Sequence, residues 1–223
     1  MKASLVTALS LLTIAESVVP GYNVVDLEWE VESAPGNGFV SVNGTIESIV
    51  AEMTKVNPNF RDDYGLDNTT LTTELFEARD ALEKRQAVVS EFSHKCFDPW
   101  GPADRDEIRK GIDYLYKVNG RPKNGPGPGN CGRVSCSNNA AIWWCNDDPT
   151  TKTLFSFVSI GNGAWRIHQN CQQYRGGTYF YYATGGQAFH PTNWNVITNL
   201  INNPDELDQK TAVLGAEHLS CRS

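Results

Sequence analysis

The chain reads as α+β: a helix, a β-hairpin, a second helix and a run of strands, preceded by a smaller α+β unit. Three observations carry that reading. Apolar residues recur at helical spacing in some stretches and alternate with polar ones in others, and all six cysteines lie beyond position 95 of the 223 residues. Hydrophobic residues make up 40% of the chain, enough for one ordinary core or two small ones, which excludes a long disordered chain. The longest apolar run, residues 5–15 with three polar interruptions, falls far short of the roughly 18 residues of an uncharged membrane span. No transmembrane segment is expected.

The first residues read as a targeting signal. Met1-Lys2 supplies a positive start, residues 5–15 an apolar stretch, and Ala15-Glu16-Ser17 the small residues at alternate positions that a signal peptidase accepts. A signal peptide over 1–17 and secretion follow. A buried N-terminal helix fits less well, because this stretch has no polar face. Secretion decides how the cysteines are read: Cys96, Cys131, Cys136, Cys145, Cys171 and Cys221, an even number in one region, point to three disulfides. Zinc was the other use for His94, Cys96, Cys131 and Cys136, but structural zinc sites pair their ligands more tightly. No metal or cofactor is expected. Sequence leaves 15 connectivities open. The expectation is two bridges among Cys131, Cys136, Cys145 and Cys171, with Cys96 joined to Cys221.

Residues 18–85 differ in composition from the rest. Residues 1–85 hold 6 of the 19 basic and 14 of the 26 acidic side chains, leaving 13 and 12 beyond, so the acidity belongs to one half. This half has no cysteine and both N-glycosylation sequons, at Asn43 and Asn68. Val25, Leu27, Trp29 and Val31 alternate with Asp26, Glu28, Glu30 and Glu32, which predicts a strand with one apolar and one acidic face. A turn at Pro35-Gly-Asn-Gly38 and a strand over 39–42 complete a hairpin. Ile46, Ile49, Val50 and Met53 mark one helix; Leu71, Leu75, Ala78 and Leu82 mark another, running into Lys84-Arg85. That dibasic pair, at the junction of the two compositions, resembles the kexin-type processing site of fungal secreted precursors. The resemblance implies a propeptide over 18–85 and a mature chain over 86–223.

In the mature part, Asp104 is an N-cap with Glu107 three residues on, Ile108, Ile112 and Leu115 form an apolar stripe, and Asn119-Gly120 ends the helix. The Pro/Gly-rich residues 121–129 are expected to be irregular. Residues 131–136 and 140–145 read as two strands around the Ser137-Asn-Asn139 turn. Phe157, Ile160, Ala164, Ile167 and Cys171 fall at helical spacing, although Gly161 and Gly163 weaken that helix by roughly 1 kcal/mol each. Further strands are expected over 178–183, 187–189 and 194–197.

The segment Cys131-Gly-Arg-Val-Ser-Cys-Ser-Asn-Asn-Ala-Ala-Ile-Trp-Trp-Cys-Asn-Asp147, continued by residues 157–163, Cys171 and Asn193-Trp-Asn-Val196, resembles a group of small secreted cysteine-rich fungal proteins. Its element order is similar to the killer-toxin and necrosis-inducing effector class of compact α/β sandwiches. The resemblance covers residues 96–197 and implies a secreted effector or toxin-like protein acting on a target-cell protein, membrane component or glycan as a monomer. Binding would fall to the aromatics, with Trp143, Trp144, Tyr179 and Tyr181 the foremost; adjacent Trp143 and Trp144 face opposite sides of a strand, so one is core and the other covers a second surface, either exposed for binding or lying under the helices or the tail. An extracellular hydrolase, in its sharpest form a small ribonuclease, is the alternative, with His168 and Arg166 as its residues; without a carboxylate placed near it, His168 reads as an exposed helix residue. A cell-wall carbohydrate-binding module is the third class. Nucleic acid is disfavoured as a partner, since the mature charge is near +1 and no basic run occurs.

Overall fold

A computed structural model describes residues 19–67, 87–176 and 181–201. The expected signal peptide over 1–17, Asn68, the expected helix over 71–82, Lys84, Arg85, Tyr179 and Cys221 lie outside them. The protein is mixed α+β, mostly sheet, with four helices among the described residues: α1 (Ile46–Val56), α2 (Phe60–Asp63), α3 (Arg105–Lys117) and α4 (Phe157–Asn170). The largest sheet has six strands. Its order is β1 (Asn23–Val24), β7 (Asn130–Ser137), β8 (Ala140–Asn146), β13 (Trp194–Leu200), β12 (Gly186–His190) and β4 (Ser93–Cys96), antiparallel except where β1 runs parallel to β7. Helices α3 and α4 pack on each other and against this sheet, and α1 sits on β7 and α3.

Alternation along β8 divides the apolar interior in two. Ala140, Ile142 and Trp144 face the main core beneath α3 and α4; Ala141, Trp143 and Cys145 face a smaller cluster with Val19, Trp100 and Ile197. The turn joining β7 to β8 places Asn138 at φ 45° and Asn139 at φ 62°, the left-handed pair that a tight two-residue hairpin demands. The two helices form as their stripes require. Asp104 Oδ1 accepts the backbone N–H groups of Asp106 at 2.8 Å and Glu107 at 3.1 Å, capping α3. In α4 the glycines have a packing reason: a Cβ on Gly163 would lie 2.6 Å from a Val196 methyl, and one on Gly161 2.8 Å from the Tyr116 ring. Local helix propensity is given up for close approach to the sheet and to α3.

A four-stranded sheet, β3 (Phe39–Asn43), β2 (Glu28–Glu32), β6 (Gly120–Asn124) and β9 (Lys152–Thr153), is shared by the two compositional halves. In β2, Trp29 and Val31 are buried, and so is Leu27 just ahead of it, while Glu28 and Glu30 are exposed; all four predicted apolar residues of α1 are buried. Residues 125–129 are irregular as expected, while strand β6 corrects the expectation of irregular chain for residues 121–124. Pro122 is tolerated there because its carbonyl accepts Leu154 N–H at 3.0 Å, on the side where β9 has already ended, so the missing N–H breaks no ladder bond. A three-stranded sheet, β10 (Gln172–Arg175), β11 (Tyr181–Thr184) and β5 (Ala103–Asp104), completes the fold. No helix among the described residues is long and apolar enough to cross a membrane.

The disulfides agree with the expected pairing in one bridge, Cys131–Cys145, and correct it in the other, since Cys96 pairs with Cys171. Cys131 bonds Cys145 across the β7–β8 ladder, and Cys96 bonds Cys171, stapling β4 to the end of α4. Sequence proximity misleads here, because β4 lies beside β12 and the C-terminus of α4 meets it from above. Cys136 is also disulfide-bonded. Loop entropy grows with the chain enclosed, so losing the bridge with a separation of 75 residues should cost about 4.5 kcal/mol against about 3 for the bridge with a separation of 14. Urea titration of the Cys96→Ala/Cys171→Ala and Cys131→Ala/Cys145→Ala proteins checks the order. The reverse order would count against the entropic account.

Candidate functional site

Neither member of the Trp143-Trp144 pair is at the surface. Trp143 is 1% exposed and Trp144 0%, each filling a different face of β8, and Trp143 Nε1 donates to Asn199 Oδ1 at 2.8 Å. Of the two readings of the pair, one tryptophan exposed or both covered, the structure has the second, and both faces of β8 are covered. Among the described residues the exposed aromatics are Phe39, Phe155, Phe189 and three tyrosines grouped on the β10–β11 hairpin of the small sheet. Tyr174 on β10 and Tyr182 on β11 are directly opposed in register, with ring centroids 5.4 Å apart, and each is 58% exposed. Tyr181, opposite Arg175, is 42% exposed. This is a solvent-facing pair of mutually tilted rings held by a two-strand ladder, and ordinary core packing gives no reason for it.

His168 is 2% exposed, which corrects the expectation of a solvent-facing helix residue. It lies on the side of α4 facing α3, stacked on Trp165 at 4.8 Å, and the Arg109 guanidinium lies over the same Trp165 at 4.6 Å. Burial, and then the charges of Arg105 and Arg109, push the imidazole down to about 3. It is neutral at physiological pH. Neither ring nitrogen has a hydrogen-bond partner, and Arg109 directs its Nε to Asp113 at 2.7 Å. Arg166, two residues away on a helix that turns 100° per residue, points elsewhere and is half-buried. The structure does not assemble His168 and Arg166 into one site.

The histidine that does meet a carboxylate is His190. Its Nε2 lies 3.3 Å from Glu91 Oε2, its Nδ1 lies 2.8 Å from Thr192 Oγ1, and the ring stacks on Trp194 at 4.7 Å. Trp194 Nε1 donates to Thr192 Oγ1 at 2.9 Å, so the threonine hydroxyl hydrogen is free to go to His190 Nδ1. A hydroxyl, an imidazole and a carboxylate in series can relay a proton. Glu91 and His190 are 99 residues apart, and no local pattern announces their pairing; it exists because the turn after β12 swings over the 3-10 turn Val89–Glu91.

His94, Cys96 and Cys171 place three ligand-type atoms within 4.8 Å of one another. Cys96 and Cys171 are already bonded to each other, so the group offers no thiolate to a metal. Of the two sequons, Asn43 is exposed at the end of β3. The chain matches no protein-family model, no curated protein and no solved structure.

Proposed function

We propose that the protein is a secreted effector or toxin-like interaction protein, released from a precursor by cleavage after Lys84-Arg85, that acts by contact with a target-cell protein, membrane component or glycan. The observation that carries this reading is the exposed Tyr174–Tyr182 pair. Tyrosine is enriched among the residues that dominate binding energy, because it buries a large rigid surface at little entropic cost and keeps a polar tip. Helices layered on a disulfide-stapled sheet suit the compact sandwiches of the effector class, and bridged cysteines suit an oxidising exterior. Processing is hydrolysis of the Arg85–Gln86 bond by a dibasic-specific protease, with water leaving a carboxylate on Arg85 and an amine on Gln86.

Purified protein applied to plant tissue and to sensitive microbial cells tests this, beside RNA-degradation and polysaccharide pull-down assays. Tyr174→Ser/Tyr182→Ser should weaken the biological effect about thirtyfold, the loss of one hot spot of roughly 2 kcal/mol. His190→Gln should leave it unchanged. A folded His190→Gln protein that loses activity by roughly 10²–10⁴, with the tyrosine variant silent, would transfer the assignment to the hydrolase class and to the Glu91–His190–Thr192 series.

A further inference from the structure

We propose that the Cys-free acidic segment stays bound after cleavage as a second, non-covalent chain, so that the working protein is a two-chain complex rather than residues 86–223 alone. The proposal rests on the processing reading above. What supports it is the surface between residues 19–67 and the rest of the chain, which has the character of a protein interior.

Backbone ladders cross it twice. Strand β1 pairs with β7, with Asn23 N–H donating to Gly129 O at 2.7 Å and Val25 N–H to Cys131 O at 2.8 Å; β2 pairs with β6 over four residues. Removing the segment would expose an edge on each sheet. Side chains cross it as well. Trp29 is fully buried and meets Phe157 of α4 with ring centroids 4.6 Å apart. Leu27 sits on Gly132 of β7, where a Cβ would fall 2.0 Å from Leu27 Cγ, so a position in the mature chain is left without a side chain and a residue of the segment fills the space. One continuous core joins these residues to Ile108, Trp144 and Ile160.

Polar groups are matched too. Glu47, largely withdrawn from water at the start of α1, accepts Ser135 Oγ at 2.5 Å and Cys136 N–H at 3.1 Å. Tyr22 OH accepts Gln187 Nε2 at 3.0 Å and Asn195 Nδ2 at 2.9 Å. The acidic face of β2 lies along basic residues of β6: Glu28 meets Lys123 Nζ at 3.0 Å, and Glu30 is in register with Arg121. Two of the acidic side chains of this half, Glu28 and Glu30, thus lie along basic residues of the other half. Backbone ladders, an apolar core and paired polar groups together describe an obligate interface. With no cysteine in residues 18–85, non-covalent contacts alone hold it.

The test uses the full chain secreted from a host with a dibasic-specific protease and purified without denaturant. Native mass should be that of one complex, resolving on denaturation into residues 18–85 and 86–223. Recovery of a folded 86–223 chain alone would overturn retention while leaving processing intact. A single uncut chain would instead overturn processing, and cutting it with an added Lys-Arg-specific protease then decides retention: chains that co-elute support the proposal, and chains that separate overturn it. Leu27→Ala, folded before the cut, should release the segment at least about thirtyfold faster after it. On the surface, Lys123→Glu should speed release about twofold to fivefold, with recovery when Glu28→Lys is added. Retention insensitive to all three changes would overturn the interface as drawn.

Discussion

Replacing Trp29 by alanine is expected to lower the stability of the whole protein by about 3–5 kcal/mol. The residue lies outside the cysteine-rich region, and from composition alone its loss would be expected to concern only the acidic segment. Its ring instead fills a space bounded by β6 and by Phe157 on α4, with no exposure to water. Truncation leaves a cavity that the two flanking strands and the helix can close only by moving together, so the cavity cost adds to the lost transfer energy. The indole Nε1 has no hydrogen-bond partner, so Trp29→Phe removes no bond and should cost less than half as much. Urea unfolding of the uncut chain, followed by tryptophan fluorescence and by far-UV circular dichroism, measures both. A Trp29→Ala loss under about 1 kcal/mol would mean that the acidic segment is peripheral to the fold.

His168 should give the protein an acid-sensitive stability that a phenyl ring removes. Its imidazole is held down to about 3 by burial and by Arg105 and Arg109, against about 6.5 in the unfolded chain. Between those values the unfolded state binds the proton and the folded state does not, so stability rises with pH there. Read downward, it is lost from about pH 6.5, at up to roughly 1.4 kcal/mol per pH unit, until the folded pKa is reached. His168→Phe keeps the stacking on Trp165 and, since neither ring nitrogen is bonded, gives up no hydrogen bond. Midpoints of thermal unfolding at pH 7.5, 6 and 4.5 should fall more steeply for the wild type than for His168→Phe. Parallel curves would show that other groups carry the acid sensitivity.

Much of the local structure was legible because each signal was short-range. Asp104 caps α3 through groups two and three residues away, Asn138 and Asn139 make their own turn, and the stripe Ile46, Ile49, Val50 and Met53 lies on one face of α1 whatever it packs against. The faces of β8 were legible for the same reason: alternation sends Trp143 and Trp144 to opposite sides. That both sides are covered was not legible, because the covering of the second face comes from Val19, Trp100 and Ile197, distant in the chain. Pro122 in a paired strand also escaped local reading, since its tolerance depends on where β9 stops.

By itself, then, the sequence determined the α+β class, the longer helices and strands, the alternation of their faces, and the segregation of acid from cysteine, all of which follow from bonds and side-chain spacing within a few residues. The tertiary structure alone decided which elements meet. It joined Cys96 to Cys171, brought Glu91 to His190, buried His168 between α3 and α4, turned the Tyr174–Tyr182 pair to solvent, and set β2 of the acidic half beside β6 of the other. Those contacts form at long sequence separation, where the energy comes from filling one common core, and no local pattern of residues encodes a partner that the chain reaches only by folding.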